Sequence, residues 1–120
     1  MTLLESIFTP SFEAGRKKLL KRYPLAESAI QKALGMLAAY PETGDAYPGF
    51  APAVVRKTRL GLARYGIGAR RGLRLLHLAR PDKGKIAFLL IYKKGDFKTE
   101  AAVKASLVQA LREYLGLAAD

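Results

Sequence analysis

Three basic side chains stand where a strand ordinarily carries β-branched or apolar ones: Lys57 and Arg59 in AVVRKTRLG, and Arg74 in GLRLLHLA. Lys93 and Lys94 close a third run of the same kind, KIAFLLIYKK. Antiparallel pairing of these strands gathers the five cations in one region of a sheet. Like charges held together repel unless an anion sits among them, and such a cluster suits phosphate chemistry. An arginine fork clamps phosphoryl oxygens, while a lysine crowded by cations is pushed toward neutrality and can serve as a general base. Basic residues on strands also protect a sheet edge from aggregation, which is the other reading of the same positions. His77 is the one histidine of the chain. At the end of an apolar strand it is either a structural residue at the core edge or, titrating near neutrality, a proton donor beside the basic strands.

Other chemistries find no residues. The chain has no cysteine, which rules out a disulfide framework and thiolate metal sites, and no paired carboxylates stand at ligand spacing. A Ser/His/Asp arrangement cannot be composed. The G-x-G of RYGIGARRG lacks the GK[ST] of a phosphate loop and leads into a strand, so it is read as a hairpin loop. No cofactor and no metal is expected.

Charge is distributed unevenly. Residues 1–55 hold six basic and five acidic side chains, whereas residues 56–120 hold fifteen and five, a net of +10 out of the chain's +11. From Arg56 to Arg74 there are seven basic residues and no acid. A block of this kind calls for an anionic partner, with nucleic acid the first candidate, an acidic protein the second and a membrane surface the third. The longest apolar stretch, IAFLLIY, is far short of the roughly 20 residues of a membrane-spanning helix. The N-terminal MTLLESIFTP has neither the basic n-region nor the apolar run of a signal peptide. The expected location is the cytoplasm.

These residues need elements to position them. LLESIFT alternates as a first strand, and Thr9-Pro10 is a helix start with Thr9 as N-cap. That helix runs to about Tyr23 with Phe12, Leu19, Leu20 and Tyr23 on one face. A second runs from Pro24 to about Tyr40 with Ala26, Ile30, Ala33, Leu37 and Tyr40 as its stripe. PETGDAYPGFAP reads as a loop. In the first basic strand Val55, Lys57 and Arg59 share a face. In the second, Leu73, Leu75 and His77 oppose Arg74, Leu76 and Leu78. RPDKG is a hairpin turn with Gly84 in the left-handed position. Thr99 caps a last helix that buries Val103, Leu107, Ala110, Leu111 and Tyr114 and stops at Gly116. The expectation is a single α+β domain over residues 1–120, in the order β-α-α-β-β-β-α. A small antiparallel sheet is covered by an N-terminal helix pair and a C-terminal helix.

Taken together, YPETGD…VVRKTRL…GARRGLRLLHLARPDKGKIAFLLIYKK resembles the RelE/ParE superfamily of bacterial toxins, the HigB-like branch most of all, over roughly residues 7 to 115. The resemblance implies a RelE-like fold and the toxin of a type II toxin–antitoxin system: a ribosome-associated endoribonuclease that cuts mRNA by attack of the 2′-hydroxyl on the adjacent phosphate, without a metal. It implies a cognate antitoxin, a small helix-turn-helix protein, as the silencing partner. Lys57 and Arg59 match the family's basic strand pair, Arg74 the arginine that stabilises the transition state, Lys94 the basic residue after the last strand and Tyr92 the aromatic before it. Arg70 falls on a basic loop position, and Arg56, Arg64, Arg71 and Lys93 complete an RNA-contacting set. Glu100 stands about where some relatives carry a tyrosine, and His77 where relatives have a strand aromatic, leaving His77 and Tyr92 as candidate general acids. A ParE-like gyrase inhibitor or a non-catalytic basic RNA-binding module is the alternative function.

Overall fold

A computed structural model describes residues 3–118. The elements are β1 (Glu5–Phe8), α1 (Pro10–Arg22), α2 (Glu27–Ala39), β2 (Asp45–Ala46), β3 (Val55–Leu60), β4 (Leu73–Arg80), β5 (Lys85–Lys93) and α3 (Glu100–Ala118). The five strands form one sheet in the order β1-β5-β4-β3-β2. It is an α+β architecture with a mostly antiparallel sheet and three helices. Two features depart from the expected order. Asp45–Ala46, inside the Pro/Gly-rich loop, adds a short edge strand opposite Lys57 and Arg56. The first strand pairs with β5 in parallel, because α1 and α2 return the chain to the far edge before β3 begins.

The helices start where local chemistry directs. Thr9 Oγ1 accepts the Phe12 N–H and Pro10 opens α1; Thr99 Oγ1 accepts the Ala102 N–H ahead of α3. Glycine 116 does not stop α3, which continues to Ala118: with no left-handed φ there, the residue is an ordinary helical glycine. In the β4–β5 turn Gly84 does take the left-handed conformation, with φ 68°.

The sheet separates two cores. On one face, Phe12 and Leu19 of α1 and Ile30, Leu34 and Leu37 of α2 close over Leu73, Leu75, Ile86, Phe88 and Ile91. On the other, Val103, Leu107, Ala110 and Tyr114 of α3 cover Val55, Leu76, Leu78, Ala87, Leu89 and Leu90. Each fully buried Leu, Ile or Phe contributes about 1.5–3 kcal/mol through area removed from water. Tyr40, expected in the α2 stripe, is instead 52% exposed, since it lies beyond the last helical turn.

One irregularity decides what reaches the α3 face. Leu76 pairs with Leu90 but His77 pairs with Phe88, so Leu89 is an extra residue in β5. A bulge of this kind puts two consecutive side chains on the same face. Leu89 and Leu90 accordingly both enter the α3 core, Ile91 turns to the helix-pair core, and Tyr92 packs on the α3 side. The Leu89 carbonyl accepts the Thr9 hydroxyl at 2.9 Å, which ties the start of α1 to the bulge.

Candidate active site

Register brings the strand cations together. Arg59 stands directly opposite Arg74, and Arg74 opposite Tyr92. Lys57 and Arg59 project from β3 on the same side. Together with Lys94, Lys98 and Glu100 they line a cleft of about 350 Å³ between the end of the sheet and the start of α3. Five of the six residues expected to be catalytic, Lys57, Arg59, Arg74, Tyr92 and Lys94, share this cleft. A larger groove of about 660 Å³ runs between α1 and α3, but of those residues only Tyr92 touches it. The smaller cleft is the one that holds the convergent cations.

Arg74 is the centre of the cluster. Its side chain is buried, 6% exposed, and among the described residues no carboxylate forms an ion pair with it. It is held instead by backbone: Nη1 donates to the Ala69 carbonyl at 3.0 Å and Nη2 to the Arg70 carbonyl at 2.8 Å. These bonds fix the plane of the guanidinium and tie the basic loop to the cleft. Burial, and after it the charge of Arg59, pulls the Arg74 guanidinium below its ordinary value. Like charges directly opposite on a sheet are destabilising, and only an exposed ion pair, Arg59 to Asp45 at 3.0 Å, relieves the Arg59 side. Such surface pairs are worth about 0–1 kcal/mol.

The remaining cleft residues have defined neighbours. Lys57 Nζ lies 5.8 Å from the centre of the Tyr47 ring, a cation–π contact. Tyr92 packs edge-on against Phe97 with ring centres 4.9 Å apart. Burial first, then the Glu100 charge, raises its phenol, against the opposing effect of Arg74 and Arg59; Tyr92 is therefore a neutral O–H donor at neutral pH. Lys94 is exposed, and its backbone N–H bonds the Gly72 carbonyl at 2.9 Å. Gly72 is required there: a Cβ would lie 1.9 Å from the Leu60 carbonyl oxygen.

Comparison adds no relative. No protein-family model, curated protein or solved structure matches the chain.

His77 is not part of the cleft. It is fully buried on the opposite face of the sheet, beside Phe88, with Nε2 2.7 Å from the Pro41 carbonyl. Burial above all lowers its pKa. Of its two expected roles, the structure supports that of a neutral core residue bonded to the turn that follows α2. Arg56 also points away from the cleft and donates to the Gly44 carbonyl at 3.1 Å. Arg64, Arg70 and Arg71 are exposed on the β3–β4 loop, and Lys93 is partly buried at the end of β5. Glu100 also lines the cleft, a position that the sequence does not single out. A carboxylate in the first turn of a helix is ordinary, so its type and position give no signal of the cleft.

Proposed function

We propose that the protein is a metal-independent endoribonuclease that cuts mRNA on the ribosome, the toxin of a type II toxin–antitoxin pair. The observation that carries this reading is the convergence of Lys57, Arg59, Arg74, Tyr92 and Lys94 in one cleft, with a buried Arg74 that, among the described residues, no carboxylate pairs with. An arginine pair facing each other without an acid between them suits a ligand that brings its own negative charge. A phosphodiester supplies it, and a pentacoordinate phosphate gains charge on its equatorial oxygens as it forms. Preorganised cations stabilise that state more than the starting one. Tyr92, a neutral phenol, is the general acid for the leaving 5′-oxygen, because His77 lies on the other face of the sheet. The +10 charge of residues 56–120 accounts for docking on ribosomal RNA and for silencing by an acidic segment of a cognate antitoxin lying across the cleft. Co-expression and pull-down with the product of the adjacent gene tests that partner.

The decisive test is cleavage of mRNA on programmed ribosomes by wild type, Arg74→Lys and Arg59→Gln. Arg74→Lys keeps the charge and loses the fork, and cleavage falls by about a hundredfold or more while RNA affinity stays near wild type. Because Arg74 also anchors the loop, the melting temperature is read alongside. Arg59, exposed and bonded only to Asp45, supplies a second variant that leaves the fold alone. A wild type that arrests growth yet cuts no RNA removes the nuclease reading in favour of gyrase inhibition.

A further inference from the structure

Among the described residues Glu100 is the only carboxylate lining the cationic cleft, and it also lines an adjoining cavity of about 510 Å³ that shares Lys57 and Arg59 with it. It is exposed. Lys57, Arg59, Arg74, Lys94 and Lys98 line the same cleft, yet among the described residues Glu100 forms no ion pair with any of them. A carboxylate serving only to neutralise the cluster would be paired with one of these cations. Instead it is held by a phenol: the Tyr47 hydroxyl donates to Oε2 at 2.8 Å. Burial first, then Glu100 itself, pushes Tyr47 up to about 12, so this donor keeps its proton across the physiological range. Oε1 is left free as an acceptor. The arrangement is that of a base oriented by a third group, with the remaining lone pairs available to a nucleophile.

We propose that Glu100 is the general base of the cleavage reaction, with Tyr47 as its positioning residue. This rests on the ribonuclease reading above. Oε1 takes the proton from the 2′-hydroxyl, the 2′-oxygen forms a bond to the adjacent phosphorus, and the bond from phosphorus to the 5′-oxygen breaks. Tyr92 gives its proton to that 5′-oxygen, and the proton on Glu100 returns to the Tyr92 phenolate through water. The products are a 2′,3′-cyclic phosphate and a 5′-hydroxyl end, with no proton gained or lost overall. The role left to the lysines that line the cleft is to hold the phosphate, Lys57 from its place over the Tyr47 ring.

Single-turnover cleavage on programmed ribosomes, measured across pH, tests the assignment with wild type, Glu100→Gln and Tyr47→Phe. Glu100→Gln lowers the rate by about a hundredfold or more and abolishes the rise of rate with pH on the acidic side. RNA affinity holds or increases, because a negative charge has left a phosphate site. Tyr47→Phe lowers the rate less and keeps that limb. Equal rates for Glu100→Gln and wild type overturn the proposal and leave the ribonuclease reading standing. So does a rate loss with an unchanged pH profile, the mark of a merely structural carboxylate. A wild type that cuts no RNA overturns both, and cleavage blocked by a 2′-deoxy nucleotide at the scissile position secures the ribonuclease reading separately.

Discussion

His77 Nε2 donates to the Pro41 carbonyl, which leaves Nδ1 buried without a partner among the described residues. Protonating Nδ1 would place a charge in the core, and burial holds the folded imidazole below its ordinary 6.5. The sign follows. Below about pH 6.5 the unfolded chain takes up a proton that the folded chain refuses, so stability is full above that pH and declines as pH falls toward the folded value. His77→Gln keeps a donor for Pro41 but does not titrate. Urea midpoints of wild type should therefore drop more steeply than those of the variant between about pH 7 and about pH 5; parallel curves would contradict a buried neutral imidazole. The same residue marks a limit of reading a site from sequence. Alternation correctly set His77 on the face opposite Arg74, but nothing in the letters says which face carries a cleft. The strand cations were legible because charge is out of place in a strand. Glu100 was not, because acids are ordinary in the first turn of a helix.

At the scale of elements, the contact between α1 and β5 is set by one missing side chain. A Cβ on Gly15 would lie 2.4 Å from the Ile91 carbonyl oxygen, whereas one on Gly35 of α2 meets nothing within 4 Å. Gly15→Ala is therefore expected to cost about 1–3 kcal/mol as α1 is pushed off the sheet. Gly35→Ala should stabilise by about 0.5–1 kcal/mol, the ordinary gain of alanine over glycine in a helix. Thermal or urea unfolding of the two variants checks both, and equal effects would contradict the close packing of α1. Helix starts were readable from Thr9-Pro10 and Thr99, where capping is a local matter. The pairing of β1 with β5 in parallel and the two-residue β2 were not, since both are fixed by partners distant in the chain. The bulge at Leu89 was invisible for a further reason. A strand buried on both faces carries no polar residue to show which way each side chain points.

For the molecule as a whole, the basic half of the chain places cations in the cleft and on the neighbouring β3–β4 loop, where Arg64, Arg70 and Arg71 are exposed. Binding of single-stranded RNA should release counterions in proportion to the phosphates neutralised, giving a log–log salt slope of about −0.7 per contact. Titration of affinity against salt measures it, and a flat response would contradict phosphate contact. The extra residue in β5 bears on the molecule at this scale too. Before Leu89 the even-numbered side chains of the strand face the helix pair; after it the odd-numbered ones do. The fold thus contains a change of reading frame, and the cleft lies downstream of it. Substitutions along this strand alter one contact at a time. Were β5 to run as a regular strand through Leu89, Ile91 would turn toward the cleft and Tyr92 into the helix-pair core, so that one extra residue on the α3 side, rather than any change of side-chain chemistry, delivers Tyr92 to the cleft.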